Sequence, residues 1–165
     1  MATTKKPLVI LAIVGFITLF SFTLTAQAQQ PIDMVSCGDN KVTTILASEE
    51  LTIMGIEGKG INMDNLPSKI YDSMTFHGVG VLKIEKGKMS GTFYYKYMDP
   101  SGDFLVVEVS QVGMERDWEY LQGGTGKWKG ITGKGKAIPI TKGKPISPGT
   151  GQGCYKITGT YELKK

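Results

Sequence analysis

The sequence predicts an all-β protein, an antiparallel barrel or sandwich that forms one domain after an N-terminal signal peptide. Short segments rich in Val, Ile, Thr and aromatic residues recur along the chain, several of them with alternating apolar and polar side chains, which is the pattern of half-buried strands. Turns of Gly, Pro, Asn and Asp separate these segments. No segment keeps a helical period over about ten residues, so the all-β class follows.

Residues 1–28 have the organisation of a signal peptide. Lys5 and Lys6 precede an apolar run at residues 8–24, and Ala26-Gln27-Ala28 is a small-x-small cleavage motif. We therefore expect cleavage after Ala28, export to the periplasm or the cell exterior, and no stable membrane insertion afterwards. The alternative is an uncleaved membrane anchor, because 17 apolar residues approach the length that spans a bilayer.

The two cysteines predict one disulfide. Cys37 and Cys154 both lie in the exported part of the chain, where an oxidising compartment favours pairing of an even number of cysteines. The first and last strands of a closed barrel are neighbours, so a bridge between the two ends of the domain suits that geometry. The alternative is two free buried thiols.

After the signal peptide we expect a short N-terminal arm at residues 29–40 and a β-barrel domain at residues 41–165. The alternation of residues 70–85 predicts one long strand, with a bend at Gly78 and Gly80. Residues 85–88 predict a hairpin turn, and residues 99–102 predict a second turn by composition. The predicted strands are residues 42–46, 51–56, 70–85, 90–98, 103–112, 117–121, 131–140 and 154–163.

Residues 119–137 organise the C-terminal half. Gly123, Gly124 and Gly126 predict a turn, since glycine enters positive-φ conformations without steric cost. Gly133 and Gly135 then interrupt a strand-like segment, as expected at the bends of a small closed barrel. A phosphate-binding loop is the weaker interpretation, because Leu121, Trp128 and Lys129 occupy positions that its motifs reserve for other residues.

The run GGTGKWKGITGKG at residues 123–135, followed by the strand YKITGTYEL at residues 155–163, resembles the C-terminal half of allene-oxide-cyclase-like and dirigent-like barrels. Those proteins carry a glycine-rich segment before their last strands. The resemblance implies an eight-stranded, calycin-like antiparallel barrel with a central cavity. It transfers no catalytic residue, because no active-site motif of the family matches this sequence position by position.

Two residues are candidates for catalysis. His77 is the only histidine, and it is either a hydrogen-bonded residue of the barrel wall or an acid, a base or a ligand-orienting group in the cavity. Glu108 shares a strand face with Phe104 and Val106, so an inward carboxylate could act as a base. The aliphatic residues on the opposite face of the same strand favour a solvent-exposed Glu108 instead.

Aromatic residues supply candidates for ligand binding, because apolar walls with a few hydroxyl groups are typical of ligand pockets. The alternative role of the same side chains is core packing. Lysines concentrated between residues 127 and 144 are expected on the solvated outer surface of the barrel. The candidate ligand-binding residues are Tyr71, Tyr95, Tyr97, Trp118, Tyr120 and Trp128.

The predicted function is noncatalytic binding of a small apolar or amphipathic ligand inside the barrel. The alternatives are an isomerase or cyclase that acts by confining its substrate, and a structural or surface-interaction protein with a filled barrel. We expect no cofactor and no metal. We expect no nucleic acid partner, because the chain is predicted to be exported, and the net charge of about +2 on the mature chain gives only a weak electrostatic field. The sequence leaves open whether the chain forms homo-oligomers.

Overall fold

The computed structural model describes residues 29–121 and 123–163, so the predicted signal peptide at residues 1–28 lies outside the described residues. Eight antiparallel strands close into one barrel, in which each strand pairs with its neighbours in chain order and β1 pairs with β8. The predicted fold class is confirmed. The strands are β1 (Gln30–Ala47), β2 (Leu51–Asp64), β3 (Thr75–Glu85), β4 (Lys88–Met98), β5 (Phe104–Val112), β6 (Glu115–Leu121), β7 (Ile131–Lys142) and β8 (Thr150–Leu163), with a short 3₁₀ turn, η1 (Gly126–Trp128), between β6 and β7.

The structure corrects the N-terminal boundary of the barrel. Residues 29–40, which we expect from sequence to form an arm, belong almost entirely to β1, and residues 30–41 pair with residues 161–150 of β8. Ile32, Met34 and Ser36 are buried while the residues between them are more exposed, which is the period of a strand with one face in the core. The segment is therefore part of the first strand of the barrel.

The predicted disulfide is confirmed. Cys37 and Cys154 face each other directly in the register of β1 with β8, and a disulfide joins them. The bridge crosses the seam at which the first and last strands close the barrel.

A second difference concerns residues 65–74, part of which we expect to lie in a long strand. β3 begins only at Thr75, because Lys69 and Ser73 adopt left-handed backbone conformations with φ of 52° and 59°. Such conformations interrupt an extended strand. The segment folds instead into a loop in which the Tyr71 N–H donates to the Asp64 carboxylate.

The two ends of the barrel differ. At the end we call the capped end, loops 65–74, 99–103 and 123–130 fold inward, and the side chains of Tyr71, Met74 and Trp128 are almost fully buried. The opposite end, the hairpin end, has the short turns that join β1 to β2, β3 to β4 and β5 to β6, together with loop 143–149. The predicted hairpin turn at residues 85–88 lies there, with positive φ at Lys86 and Gly87.

The seam between β6 and β7 is the shortest in the barrel. It contains three residue pairs, residues 117–119 opposite residues 136–134, whereas β5 and β6 form seven pairs. Trp118 lies in the middle of this seam opposite Gly135, and its indole ring fills the space beneath that glycine. A Cβ at Gly135 would overlap the Thr158 carbonyl oxygen and come within 2.7 Å of the Trp118 ring.

Candidate ligand cavity inside the barrel

A buried cavity of about 30 Å³ lies within the barrel on the side of the capped end. Most of its wall is apolar, and inward-facing residues of β1, β5 and β8 contribute to it, including Met34, Leu105, Val107 and Ile157. These positions are buried because strand alternation directs them to the barrel axis. The lining residues with polar side-chain atoms are Asn62, three tyrosines and Trp118.

Asn62 on β2 is the most unusual of these residues. Its side chain is 1% exposed, and its Oδ1 accepts a hydrogen bond of 2.7 Å from the Ser36 hydroxyl of the neighbouring strand. Its Nδ2 is buried and has no hydrogen-bond partner among the described residues. An unsatisfied buried donor costs about 1–3 kcal/mol, so this amide is a donor available to a polar atom in the cavity.

The tyrosines on the wall are neutral hydrogen-bonding groups. The Tyr120 hydroxyl donates to the Tyr71 hydroxyl at 3.0 Å. Burial raises the pKa of Tyr71, Tyr97 and Tyr120 well above the usual range of a phenol. All three therefore keep their protons at neutral pH and can donate or accept hydrogen bonds without carrying charge.

A network of hydrogen bonds and an ion pair around Asp99 fixes the position of Trp128 beneath the cavity. The ring of Trp128 stacks on Tyr71 with 5.4 Å between centroids, and its indole N–H donates to Asp99 Oδ2 at 3.0 Å. Lys127 Nζ lies 2.8 Å from the same oxygen, and the Ser101 hydroxyl donates to the other oxygen at 2.6 Å. Burial alone would raise the pKa of Asp99, but these partners together hold that pKa well below its usual range.

Four of the six predicted ligand-binding residues line the cavity: Tyr71, Tyr97, Trp118 and Tyr120. Tyr95 is also inside the barrel but lies among aromatic rings, with its centroid 5.8 Å from that of Phe76. Trp128 lies beneath Tyr71 and closes the capped end.

The two candidate catalytic residues lie on the outer surface. The imidazole Nε2 of His77 is 2.9 Å from Glu57 Oε1, and both side chains are more than half exposed. The hydrogen bond with His77 lowers the pKa of Glu57. Glu108 alternates with the buried Val107 and Val109, and its hydrogen bond with the exposed Tyr94 raises the pKa of that phenol. Neither side chain faces the cavity.

Asn62 and Met34 line the cavity, but neither is predicted from the sequence as a cavity residue, and Ser36 is not predicted as the partner of Asn62. In the segment Ile61-Asn62-Met63-Asp64 the polar residues face inward, whereas Ile61 and Met63 are 45% and 47% exposed. This orientation inverts the usual rule and follows from the pairing of Asn62 with Ser36 on β1. Gly58 and Gly60 lie on the same face of β2 as Asn62. Small residues at alternate positions are the feature of the sequence that could have indicated that this face points into the barrel.

A second, larger concavity of about 540 Å³ lies on the outside of the barrel over β5 to β8. Lys134 and Lys136 contribute to it together with Asp117 and Glu119. Lys136 Nζ is 3.5 Å from Asp117 and 3.9 Å from Glu115. Acidic neighbours thus balance this part of the lysine-rich region, as expected for a solvated outer surface.

Residues 29–121 and 123–163 contain neither a cluster of metal ligands nor a membrane-spanning helix. This part of the chain contains no group of three or more His, Cys, Asp or Glu residues arranged to hold a metal ion. It also contains no helix with the length and apolar character needed to cross a membrane.

The fold and the cavity define the class of protein: a closed eight-stranded antiparallel barrel with a small, mostly apolar interior site. The solved structure of the pterocarpan synthase dirigent protein GePTS1 is similar to this chain, with a TM-score of 0.52 and 11% sequence identity over 84% of this chain and 93% of that chain. This similarity shows that the chain has a dirigent-like barrel fold. No protein-family model and no curated protein sequence matches the chain.

Proposed function

We propose that this protein binds a small amphipathic molecule in the interior cavity of the barrel without transforming it. The observation that carries the proposal is the unpaired Nδ2 of Asn62, a buried donor on a mostly apolar wall. Ligand sites typically combine apolar walls with a few polar groups that set orientation. An oxygen atom of the ligand would accept the Asn62 hydrogen bond, and its apolar part would contact Leu105, Val107 and Ile157.

The size of the cavity limits the ligand. A volume of about 30 Å³ holds about two water molecules, whereas a cavity of about 150 Å³ holds benzene. A ligand with a ring therefore requires side chains on the wall to move. Met34 is suited to this, because its unbranched thioether chain adapts to irregular spaces at low cost.

The alternative function is isomerisation or cyclisation of a confined substrate, which the resemblance to allene-oxide-cyclase-like barrels implies. The protein with the similar fold is described as a pterocarpan synthase. We favour binding without chemistry, because His77 and Glu108 lie on the outer surface. The tyrosines and the amide on the cavity wall are neutral groups that can orient a ligand.

We also propose that the protein is exported. The disulfide between Cys37 and Cys154 is a bond that persists in oxidising compartments. The N-terminal sequence supports the same location, since residues 1–28 have the regions of a signal peptide.

The binding proposal is tested by tryptophan fluorescence, because Trp118 lines the cavity. Wild-type protein is titrated with fatty acids, terpenoids and phenolics, and the double variant Ser36→Ala/Asn62→Leu is titrated in parallel. The double variant removes both members of the buried polar pair, so the folded state should keep its stability. Its affinity for a ligand oxygen should fall at least about tenfold, because the hydrogen bond is lost.

The control variants are His77→Ala and Glu108→Gln, which should bind as the wild type does because both side chains face solvent. Absence of a saturable change with every compound would overturn the proposal and leave a structural barrel. Turnover of a bound compound by the wild type would instead establish the cyclase alternative, and its loss in His77→Ala or Glu108→Gln would assign a role in that reaction to the substituted residue.

A further inference from the structure

We propose that the hairpin end of the barrel contains a separate anion-binding site centred on Arg116, and that it takes a carboxylate. Arg116 is the only arginine in the chain, and the remaining permanent side-chain cations are lysines. Arg116 lies near the start of β6 and is half-buried. It shares the inward face of that strand with the buried Trp118 and the half-buried Tyr120, while residues 115, 117 and 119 are exposed. The sequence therefore places its one planar, bidentate cation inside the barrel.

Two aromatic rings surround the guanidinium group. Its central carbon lies 4.5 Å from the centroid of Tyr155 and 5.4 Å from that of Phe93, both within the range of cation–π contacts. These rings and the half-buried position of Arg116 reduce the contact of the guanidinium with water. Lower exposure to water strengthens an electrostatic interaction with a bound anion.

Hydrogen bonds fix the orientation of the arginine. Nε of Arg116 donates to Gln111 Oε1 at 2.8 Å, and the Gln111 amide nitrogen in turn donates to the Gly113 carbonyl at 2.9 Å. Gln111 is 5% exposed, so the pair is held firmly. The fork of the guanidinium is thus pre-oriented before any ligand arrives.

The terminal nitrogens of Arg116 make no hydrogen bond and no ion pair with any residue in the described ranges. Arg116 is only half-buried, and its terminal nitrogens are not fully buried, so a ligand can reach them. The oriented fork is therefore open to a partner that is not part of the folded chain.

Two tyrosines lie near the fork. The Tyr155 ring is in direct contact with the guanidinium. Burial raises the pKa of Tyr95, and the positive charge of Arg116 opposes this shift. A planar carboxylate, which only accepts hydrogen bonds, matches the guanidinium with two parallel hydrogen bonds.

This site is distinct from the cavity of the proposed function. Asn62 lies near the end of β2 at the capped end, whereas Arg116 lies at the start of β6 at the hairpin end. None of Arg116, Tyr95 and Tyr155 lines the interior cavity. Either site can therefore exist without the other.

The test is calorimetric titration of the purified protein with benzoate, with its neutral analogue benzamide and with inorganic phosphate. Benzoate should bind at least about tenfold more tightly than benzamide, because only benzoate pairs with the guanidinium. Phosphate should bind more weakly than benzoate, since it offers no apolar body to the rings of Phe93 and Tyr155. This comparison uses the wild-type chain and does not depend on a variant folding.

Variants then locate the site. Arg116→Gln should lose benzoate affinity at least about tenfold. The matched control is Lys96→Gln, because Lys96 Nζ also lies over a ring, 4.3 Å from the Phe104 centroid, but on an exposed position of β4. Its affinity for benzoate should equal that of the wild type. The variant Ser36→Ala/Asn62→Leu should also keep full benzoate affinity, which separates this site from the interior cavity.

Three outcomes would overturn the inference. Equal affinities for benzoate and benzamide would exclude recognition of charge. Unchanged binding in Arg116→Gln would place the benzoate elsewhere on the molecule. Tighter binding of phosphate than of benzoate would reject the carboxylate as the ligand class.

Discussion

Removal of the Cys37–Cys154 bridge measures how strongly the covalent seam stabilises the barrel. The two cysteines are 117 residues apart in sequence. In the chain-entropy model, a bridge across a loop of this length restricts the unfolded chain by about 5 kcal/mol at 25 °C. The double variant Cys37→Ser/Cys154→Ser keeps the other pairs between β1 and β8, so the loss comes mainly from the unfolded state. For a domain of this size, the melting temperature should fall by roughly 15 °C.

The measurement is urea denaturation followed by tryptophan fluorescence for three samples: oxidised wild type, reduced wild type and the double variant. The reduced wild type is the matched control, because it lacks the bridge but keeps both cysteine side chains. Both samples without the bridge should unfold at the same, lower urea concentration. If their free energies of unfolding lie within about 1 kcal/mol of the oxidised protein, the entropic reasoning is refuted and the strand ladder alone keeps the barrel closed.

Two further predictions concern the capped end and the β6–β7 seam. Because the folded-state pKa of Asp99 is held below its usual value, the stabilisation from this carboxylate is complete above about pH 4 and is lost as the pH falls further. Urea denaturation between pH 6 and pH 3 should show a steeper loss for wild type than for Asp99→Asn, and equal slopes would contradict the assignment. Gly135→Ala should destabilise the barrel by more than about 2 kcal/mol, since its Cβ would overlap the Thr158 carbonyl oxygen. Gly55→Ala should lower the free energy of unfolding by less than half as much, because the atom nearest to its added Cβ would be 3.8 Å away. Similar melting temperatures for the two variants would argue against the clash at Gly135.

Much of the fold is predictable from local pattern. In β5, the aliphatic residues Leu105, Val107 and Val109 mark the buried face, and the structure places them inside the barrel. The disulfide is predicted from the expected export of the chain and from topology, since closure brings the first and last strands together. These features depend on strand period and on chain order, both of which are visible in the sequence.

The interior site is harder to predict, because its polar residues violate the pattern from which burial is inferred. Asn62 is buried while its apolar neighbours Ile61 and Met63 are partly exposed, and only the register with β1 determines this. Arg116 is an inward cation, which the period-2 pattern assigns to solvent. Tyr71 reaches the cavity from a loop whose left-handed residues no apolar periodicity reveals.

The short pairing between β6 and β7 has a kinetic consequence. A molecule enters a buried cavity only when the wall opens, so the association rate follows the frequency of opening and not the rate of diffusional encounter. The covalent bridge joins β1 to β8. Between β6 and β7 there are three residue pairs and the hydrogen bond that the Trp118 indole N–H donates to the Lys136 carbonyl oxygen at 3.3 Å. Trp118 also lines the cavity. The Trp118 side chain thus helps to join the strands and also lines the cavity. A bound ligand that packs against this side chain would therefore slow its own release.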